Sequence, residues 1–176
     1  MSKDFNEDLK LGDLGEQLWA EHLRSVGHQK VSLSPKTHPV YWDVEIEGEG
    51  IRFEVKYDIK AWVWANHYNR EPNLFLEYWS NTKEQECGIL ITEADYLVYI
   101  IEELPCGTPV AYVFDLKKLI QHLREAEKEK KYKTVTNKIN GNENVKGWIA
   151  PLSKILNNEH GYTKTIILQQ NINKTL

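Results

Sequence analysis

Cysteine is scarce in this chain, and long apolar runs are missing from it. The 176 residues include two cysteines, Cys87 and Cys106, and they form no CxxC pair. Two cysteines are too few to suggest a disulfide scaffold, and without CxxC spacing they argue against a zinc site. No apolar run is long enough to span a bilayer, and there is no charged-then-apolar leader. We therefore expect a soluble cytoplasmic protein with no membrane partner.

The sequence contains no internal repeat and no inter-domain linker. Its length suits a single domain over residues 1–176, since a chain of this size buries roughly 70% of its unfolded surface. We therefore expect one domain with a substantial hydrophobic core.

The net charge of −4 is only weak evidence against a nucleic-acid partner, because the charges are unevenly distributed. Residues 1–115 hold 10 of the 22 Lys and Arg residues and 21 of the 26 Asp and Glu residues, whereas residues 116–176 have a balance of +7. A basic C-terminal third can supply a phosphate-facing surface. A solvated helix face is the alternative for each lysine. The candidate nucleic-acid-binding residues are Lys128, Lys130, Lys131, Lys138 and Lys146.

Residues 41–58 predict two antiparallel strands joined by a turn, because alternating apolar and polar residues flank a glycine-containing tetrapeptide at 47–50. A turn centred between Gly48 and Glu49 fixes which residues face each other. One face then forms an apolar ladder suited to a core. Its pairs are Val44 with Phe53, Trp42 with Val55, and Ile46 with Ile51.

The opposite face of this hairpin is charged. The same register places Asp43 opposite Glu54, with the two Cβ atoms about 5 Å apart. Their repulsion is about 3 kcal/mol at an effective dielectric constant of about 20, enough to raise one carboxyl pKa or to require a cation. Mg²⁺ typically takes one or two carboxylates and fills its remaining positions with water and phosphate oxygens. Lys56 shares this strand face and could orient a water molecule.

An amphipathic hairpin with a solvated charged face is the alternative interpretation. The arrangement of Asp43 and Glu54-Val55-Lys56 resembles the PD-(D/E)XK nuclease superfamily, with Trp42 in place of the proline before the aspartate. The resemblance implies an α/β fold with a restriction-endonuclease-like core, in which helices flank a mixed central β-sheet. It also implies that Asp43, Glu54 and the Val55 carbonyl bind Mg²⁺ or Mn²⁺, and that Lys56 is catalytic.

The pattern from Asp13 to Val26 predicts an amphipathic helix that Gly27 ends. Asp13-Leu14-Gly15-Glu16 matches a capping box, which gives Glu16 a structural role at the helix start. The stretch GEQLWAEHLRSVG is also similar to the opening helix of many PD-(D/E)XK nucleases, where the Glu of a Gly-Glu pair faces the metal site. This resemblance makes Glu16 a catalytic residue, and the two interpretations are compatible.

Further motifs after the hairpin extend the resemblance to roughly residues 12–101. Their succession resembles a subset of the superfamily, many of them from phages, although Pro72 replaces the usual glycine. The role of Glu77 stays open. The motifs are an Asn-led strand at 73–79, Gly88-Ile89, Ala94-Asp95, and an apolar strand at 96–101.

The segment between the hairpin and the strand at 73–79 is rich in aromatic residues. Such residues usually belong to a core, and stacking on exposed bases is the alternative. His67 is more simply explained as structural than as a general base. The segment includes Trp62, Trp64, His67, Tyr68 and Arg70.

The C-terminal part predicts a strand at 110–114 and then a helix that Asp115 caps and that runs to about Lys131. Residues 134–146 are polar and rich in Asn, which predicts a loop. A short helix started by Pro151 and an edge strand near residues 165–168 complete the chain.

Together these patterns predict a metal-dependent deoxyribonuclease that hydrolyses DNA phosphodiester bonds with Mg²⁺ or Mn²⁺, in the host cytoplasm if a phage encodes it. A non-catalytic nucleic-acid- or protein-binding module that keeps a nuclease fold is the alternative. The complete Asp, Glu and Lys set argues against that alternative, and a purely structural hairpin would bind neither metal nor DNA. The sequence leaves open whether DNA is cut internally or from its ends, with what preference, and whether the protein is a monomer or a homodimer.

Overall fold

The structure is a computed structural model that describes residues 5–35, 42–81, 83–103, 107–139 and 142–168. The side chains at 5–9, 103, 137–139 and 142–144 lie outside this description. The strands are β1 Val31–Leu33, β2 Val44–Ile46, β3 Ile51–Asp58, β4 Asn73–Ser80, β5 Gln85–Glu86, β6 Tyr96–Glu103, β7 Thr108–Asp115, β8 Lys133–Ile139, β9 Asn142–Pro151 and β10 Tyr162–Ile167. The helices are α1 Phe5–Ser25, α2 Ala61–His67, α3 Leu116–Lys128 and α4 Leu152–Ile155, with 3₁₀ turns at Gly88–Leu90 and Asn158–His160.

A mixed six-stranded sheet forms the centre of the fold, in the order β1-β2-β3-β6-β7-β10. β3 and β6 are parallel, and the other neighbours in this sheet are antiparallel. A second sheet, in the order β5-β4-β9-β8, is antiparallel throughout. The mixed central sheet between helices confirms the predicted α/β class.

Each face of the central sheet has its own apolar core, because side chains alternate between the faces along β6 and β7. On one face, Trp19 and Leu23 of α1 pack with Val98 and Ile100. On the other face, residues such as Tyr99 pack with α3 and the second sheet. No helix in the part of the chain that the structure describes is long and apolar enough to cross a membrane.

The β2–β3 hairpin has the predicted register from Val44 to Ile51. The predicted pair of Trp42 with Val55 is not formed, because the pairing in the described part of the chain ends at Val44 and the Trp42 ring centroid lies 5.4 Å from the Arg52 guanidinium. Val44 faces Phe53, and Ile46 faces Ile51. Val44, Ile46, Phe53 and Val55 are buried against α1, as the apolar ladder predicts. Residue 41, at the start of the predicted hairpin, lies outside the described residues.

Two predicted element boundaries are wrong. α1 begins at Phe5, so Asp13 and Glu16 lie inside the helix and cannot form a capping box at its start. The described residues of the loop predicted at 134–146 belong instead to β8 and to the start of β9. Their antiparallel pairing outweighs the low strand propensity of the asparagines, because strand propensity depends strongly on tertiary context.

Several predicted element ends are confirmed. The Asp115 carboxylate accepts a hydrogen bond from the Lys118 N–H at 3.0 Å, and α3 begins at the next residue. Gly27 has a φ of +108°, and α1 closes in a Schellman motif in which the His28 N–H donates to the Leu23 carbonyl. The strands predicted at 73–79, 96–101 and 110–114 are β4, β6 and β7. The predicted C-terminal strand is β10, at an edge of the central sheet.

Candidate functional site

Asp43 lies directly before β2 and is fixed against β3. Its N–H donates to the Phe53 carbonyl at 2.9 Å, and its Oδ2 accepts from the Val55 N–H at 2.7 Å. Among the described residues, the β2–β3 pairing ends at Val44 and Phe53. The Asp43 carboxylate therefore accepts the hydrogen bond from the Val55 N–H that a backbone carbonyl would accept in a continued strand pair. Val55 directly follows Glu54 in β3.

The electrostatics of Glu54 show that the predicted site residues lie together. Burial raises the pKa of Glu54 most, and the charge of Asp43 raises it further, to about 7. The Lys56 ammonium and a hydrogen bond with Thr92 lower this pKa, while the charge of Glu16 raises it. The charge of Asp43 thus acts on Glu54 in the direction that the predicted repulsion requires, and the charge of Glu16, from α1, acts in the same direction.

Sequence reasoning missed the role of Thr92. A hydroxyl has no spacing signal of its own in a loop, although Thr92 lies four residues before β6, within the motif-bearing segment. The neighbouring Asp95 is structural, because its Oδ2 accepts from the Arg52 N–H at 2.9 Å and its N–H donates to the Arg52 carbonyl at 2.9 Å. These bonds tie the start of β3 to the start of β6, so the loop carrying Thr92 is held beside Glu54.

Gly15 brings α1 close enough for Glu16 to act on Glu54. A Cβ atom at Gly15 would lie 2.8 Å from the Cβ of Tyr57 on β3, a spacing that packed carbon atoms do not adopt. Glu16 is only 9% exposed at this contact. The Gly15-Glu16 pair therefore lies inside α1 and not at its start, and Gly15 allows α1 to pack closely against β3.

Gly15→Ala is expected to lower the free energy of unfolding by about 1–3 kcal/mol, because the added methyl overpacks the contact with Tyr57. Gly12→Ala is the matched control on the same helix, since nothing lies within 4 Å of a Cβ there. It should raise stability by about 0.5–1 kcal/mol through helix propensity. Urea unfolding measures both, and equal effects of the two substitutions would contradict the close contact.

Lys56, whose charge acts on Glu54, also lines a cavity of about 410 Å³ at the end of β3. Leu11 and Gly12 of α1 line one side, and Glu77 of β4 lines another. Lys60 also lines this cavity. Two lysines thus line one cavity, and the described residues that line it do not include Asp43, Glu54 or Glu16.

Glu77, whose role the sequence left open, lies near Lys56. Burial raises the pKa of the Cys87 thiol, the charge of Glu77 raises it further, and the Lys56 ammonium lowers it. Gly88 makes this packing feasible: its φ is +55°, and a Cβ there would lie 2.4 Å from the Glu77 carbonyl oxygen. The Gly88-Ile89 motif therefore packs the 3₁₀ turn on β4 at the level of Glu77.

The predicted nucleic-acid-binding lysines do not line this cavity. Lys128, Lys130 and Lys131 are exposed at and beyond the C-terminal end of α3. Lys131 lines a second cavity, with His122 and His160. The remaining two lie in the second sheet, where Lys146 of β9 pairs with Trp79, and where the side chain of Lys138 lies outside the described residues.

The donor chemistry around Glu54 fits a hard divalent cation. In the part of the chain that the structure describes, no group of three or more His, Cys, Asp or Glu side chains is arranged to hold a metal ion. Mg²⁺ needs only one or two carboxylates, and Asp43 and Glu54 supply two. Burial raises the pKa of Glu54 most and the charge of Asp43 raises it further, and a bound cation would offset both effects.

We compared the chain with protein-family models, curated proteins and solved structures, and none of them matches it.

Proposed function

We propose that this protein is a Mg²⁺- or Mn²⁺-dependent deoxyribonuclease with a restriction-endonuclease-like core. The observation that carries the proposal is the placement of the Asp43 carboxylate, whose Oδ2 accepts from the Val55 N–H at 2.7 Å between Glu54 and Lys56 in the chain. The charges of Asp43, Lys56 and Glu16 all act on the pKa of Glu54. The proposed site would thus combine the predicted Asp, Glu and Lys residues with a carboxylate from the first helix. The order β2-β3-β6-β7, with β3 parallel to β6 and α1 across one face, also supports such a core.

Asp43 and Glu54 would hold the cation, and the Val55 carbonyl would complete the protein ligands. The bond from the Val55 N–H fixes the orientation of Asp43, as outer-shell hydrogen bonds do for metal ligands. When bound, the cation would supply positive charge that polarises the scissile phosphate and lowers the pKa of water. By holding the cation, these residues would reduce the repulsion between a nucleophile and the negatively charged phosphate, which is the main difficulty of the reaction.

Lys56 would act from the cavity side of the carboxylates. Its ammonium can donate hydrogen bonds to a water molecule or to a phosphate oxygen, and its charge stabilises negative charge that develops there. Lys60 lines the same cavity and would hold a neighbouring phosphate of the DNA strand.

Purified protein incubated with linear, circular, single-stranded and branched DNA tests the proposal. We expect cleavage with Mg²⁺ or Mn²⁺ and none with EDTA. DNA binding without cleavage under any metal condition would favour the non-catalytic binding module. Absence of both binding and cleavage would remove the nuclease proposal.

Glu16→Gln is expected to reduce cleavage by about tenfold or more, with partial recovery at higher Mn²⁺ concentration, because the amide brings no charge to offset the cation. Its melting temperature should not fall, since the amide is nearly isosteric and relieves repulsion with Glu54. Glu21→Gln, on the exposed side of the same helix, is the control. Cleavage at the wild-type rate at all metal concentrations would make Glu16 a packing residue only.

The C-terminal lysines are proposed to contact phosphates outside the cavity. Replacing Lys128, Lys130 and Lys131 with alanine should weaken DNA binding and flatten its salt dependence, by about 0.9 log units of slope for each phosphate that the protein no longer neutralises. The affinity measured by fluorescence anisotropy across a salt series gives this slope. An unchanged slope would mean that these lysines form only a solvated helix end.

A further inference from the structure

One face of α2 and of the turn that follows it carries large aromatic side chains into solvent. Trp64 is 52% exposed and Tyr68 is 55% exposed. The Trp64 N–H donates to the Lys60 carbonyl at 2.9 Å, and the Tyr68 N–H donates to the Trp64 carbonyl at 3.1 Å. Residues four apart lie on one helix face, so Lys60, Trp64 and Tyr68 form a continuous row, here called the aromatic stripe.

The rings of the aromatic stripe are held in a defined arrangement. The Trp64 and Tyr68 rings are nearly parallel, with an interplanar angle of 12° and centroids 6.0 Å apart. The guanidinium of Arg70 lies 4.8 Å from the centroid of Tyr68. His67 contacts the Tyr68 ring edge-on, with centroids 4.7 Å apart, which limits rotation of that ring. The Trp64 ring, the Tyr68 ring and the Arg70 guanidinium thus form one stacked set before any ligand binds.

The packing of α2 does not require this exposed face. Ala61 and Ala65 are buried on the opposite side of the helix, and Trp62 packs against the core shared by the central sheet and the second sheet. Exposed tryptophan and tyrosine side chains are enriched where proteins bind partners through aromatic contacts. The aromatic stripe is therefore available for a ligand without loss of core packing.

The aromatic stripe begins at the proposed active site. Lys60, its first member, lines the cavity that also contains Lys56. A DNA strand with a phosphate near these two lysines would place its next nucleotides along Trp64 and Tyr68, with Arg70 available for a further phosphate or base. Lys60 and Arg70 thus complement the backbone charge at the two ends of the row, while the rings complement the bases.

We propose that Trp64, Tyr68 and Arg70 bind unpaired nucleobases of the substrate, so that the substrate class is DNA with a single-stranded segment beside the cleaved bond. This inference rests on the proposed nuclease function. Bases in an intact duplex are stacked on each other and offer no face to these rings, whereas unpaired bases stack on aromatic side chains with little sequence preference.

The test measures binding in EDTA, so that cleavage does not enter. Blunt duplex DNA, the same duplex with a single-stranded tail, and that duplex with an abasic tail are compared by fluorescence anisotropy. The wild type should bind the tailed duplex more tightly than the other two DNAs. Trp64→Ala and Tyr68→Ala should each weaken binding of the tailed duplex about tenfold and leave the blunt duplex within about twofold. Val63→Ala is the matched control, because Val63 is 51% exposed on the same helix but is not part of the aromatic stripe.

Equal affinity for normal and abasic tails would overturn the proposal, and so would equal losses of tailed and blunt duplex binding in the Trp64→Ala protein. A dimer in sedimentation that Trp64→Ala dissociates, with no effect on DNA binding, would assign the aromatic stripe to a second copy and also overturn it. Base-dependent binding without any cleavage in Mg²⁺ would support the stripe while removing the nuclease function. Cleavage that ignores the tail would retain the nuclease and remove the stripe as its substrate contact.

Discussion

Glu54→Gln, Asp43→Asn and Lys56→Ala are each expected to lower metal-dependent DNA cleavage by at least about a hundredfold, in proteins that remain folded. The first two remove a negative ligand from the proposed cation site. The third removes the charge that would act on water or phosphate from the cavity side. Single-turnover cleavage of a labelled substrate in Mg²⁺ measures these losses without interference from product release.

Glu45→Gln is the control for the first of these substitutions. Glu45 lies on the same hairpin face but forms an ion pair with Arg52, with Nε and Oε1 3.3 Å apart, so its loss should leave cleavage near the wild-type rate. If Glu54→Gln and Lys56→Ala both cut DNA at the wild-type rate, the active site is elsewhere. If Glu45→Gln is as inactive as Glu54→Gln, cleavage depends on the total charge of the hairpin face. Glu54 would then have no specific role as a cation ligand.

The hairpin could be predicted from sequence because its information is local. Alternation in β3, a glycine-containing turn and the inward side chains of Val44 and Phe53 together fix one register. That register places Asp43 beside Glu54 and leaves Lys56 on the same side, and the charges of both residues act on the pKa of Glu54. A shift of one residue would reverse the faces, and the turn excludes a shift of two, so the apolar ladder and the turn together determine which carboxylates meet.

The start of α1 could not be predicted in the same way. Asp13 to Glu16 carries a good capping signal, yet the helix extends eight residues further toward the N-terminus. A capping box contributes only a local stabilisation, and a helix continues past it when the preceding residues can also adopt helical geometry. The buried position of Glu16 depends on how Gly15 packs against Tyr57, a tertiary contact with no local signal.

The second sheet and the exposure of the aromatic segment were also beyond local patterns. β8 and β9 contain polar and Asn-rich sequence, and only their mutual pairing makes them strands. Trp64 and Tyr68 are residue types that are common in cores, yet both side chains are exposed. Trp64 lies on the outer face of α2 and Tyr68 directly follows this helix, whose buried residues are Ala61 and Ala65. Amino-acid type predicts burial only on average, and an exposed aromatic pair is therefore informative when the structure shows it.

The stability of the metal-free protein should fall as the pH rises from about 4.5 to about 7, relative to Glu54→Gln. Burial and the charge of Asp43 raise the pKa of Glu54 from 4.5 to about 7, so the folded state binds this proton more tightly than the unfolded state. The stabilising effect of the proton is complete below the unfolded pKa and is lost as the pH passes the folded pKa. The difference in the free energy of unfolding should change by about 3 kcal/mol over this range.

Urea unfolding in EDTA at several pH values, for wild type and Glu54→Gln, measures this difference. Asp43→Asn provides a second check, because removing its charge should lower the Glu54 pKa and narrow the pH window from the upper end. A difference between wild type and Glu54→Gln that stays constant from pH 4.5 to pH 8 would contradict a raised pKa at Glu54.

Added Mg²⁺ should reverse the loss of stability at high pH. A cation and a proton compete for Glu54, so Mg²⁺ should raise the melting temperature little near pH 5 and clearly near pH 8. Glu54→Gln should show no pH-dependent metal effect, whereas Glu45→Gln should behave like the wild type. A Mg²⁺ effect of equal size at both pH values would show that the cation does not bind to the Glu54 carboxylate. If the cation does bind there, cleavage should rise with pH through about 7 in the proteins that keep Glu54 and not in Glu54→Gln.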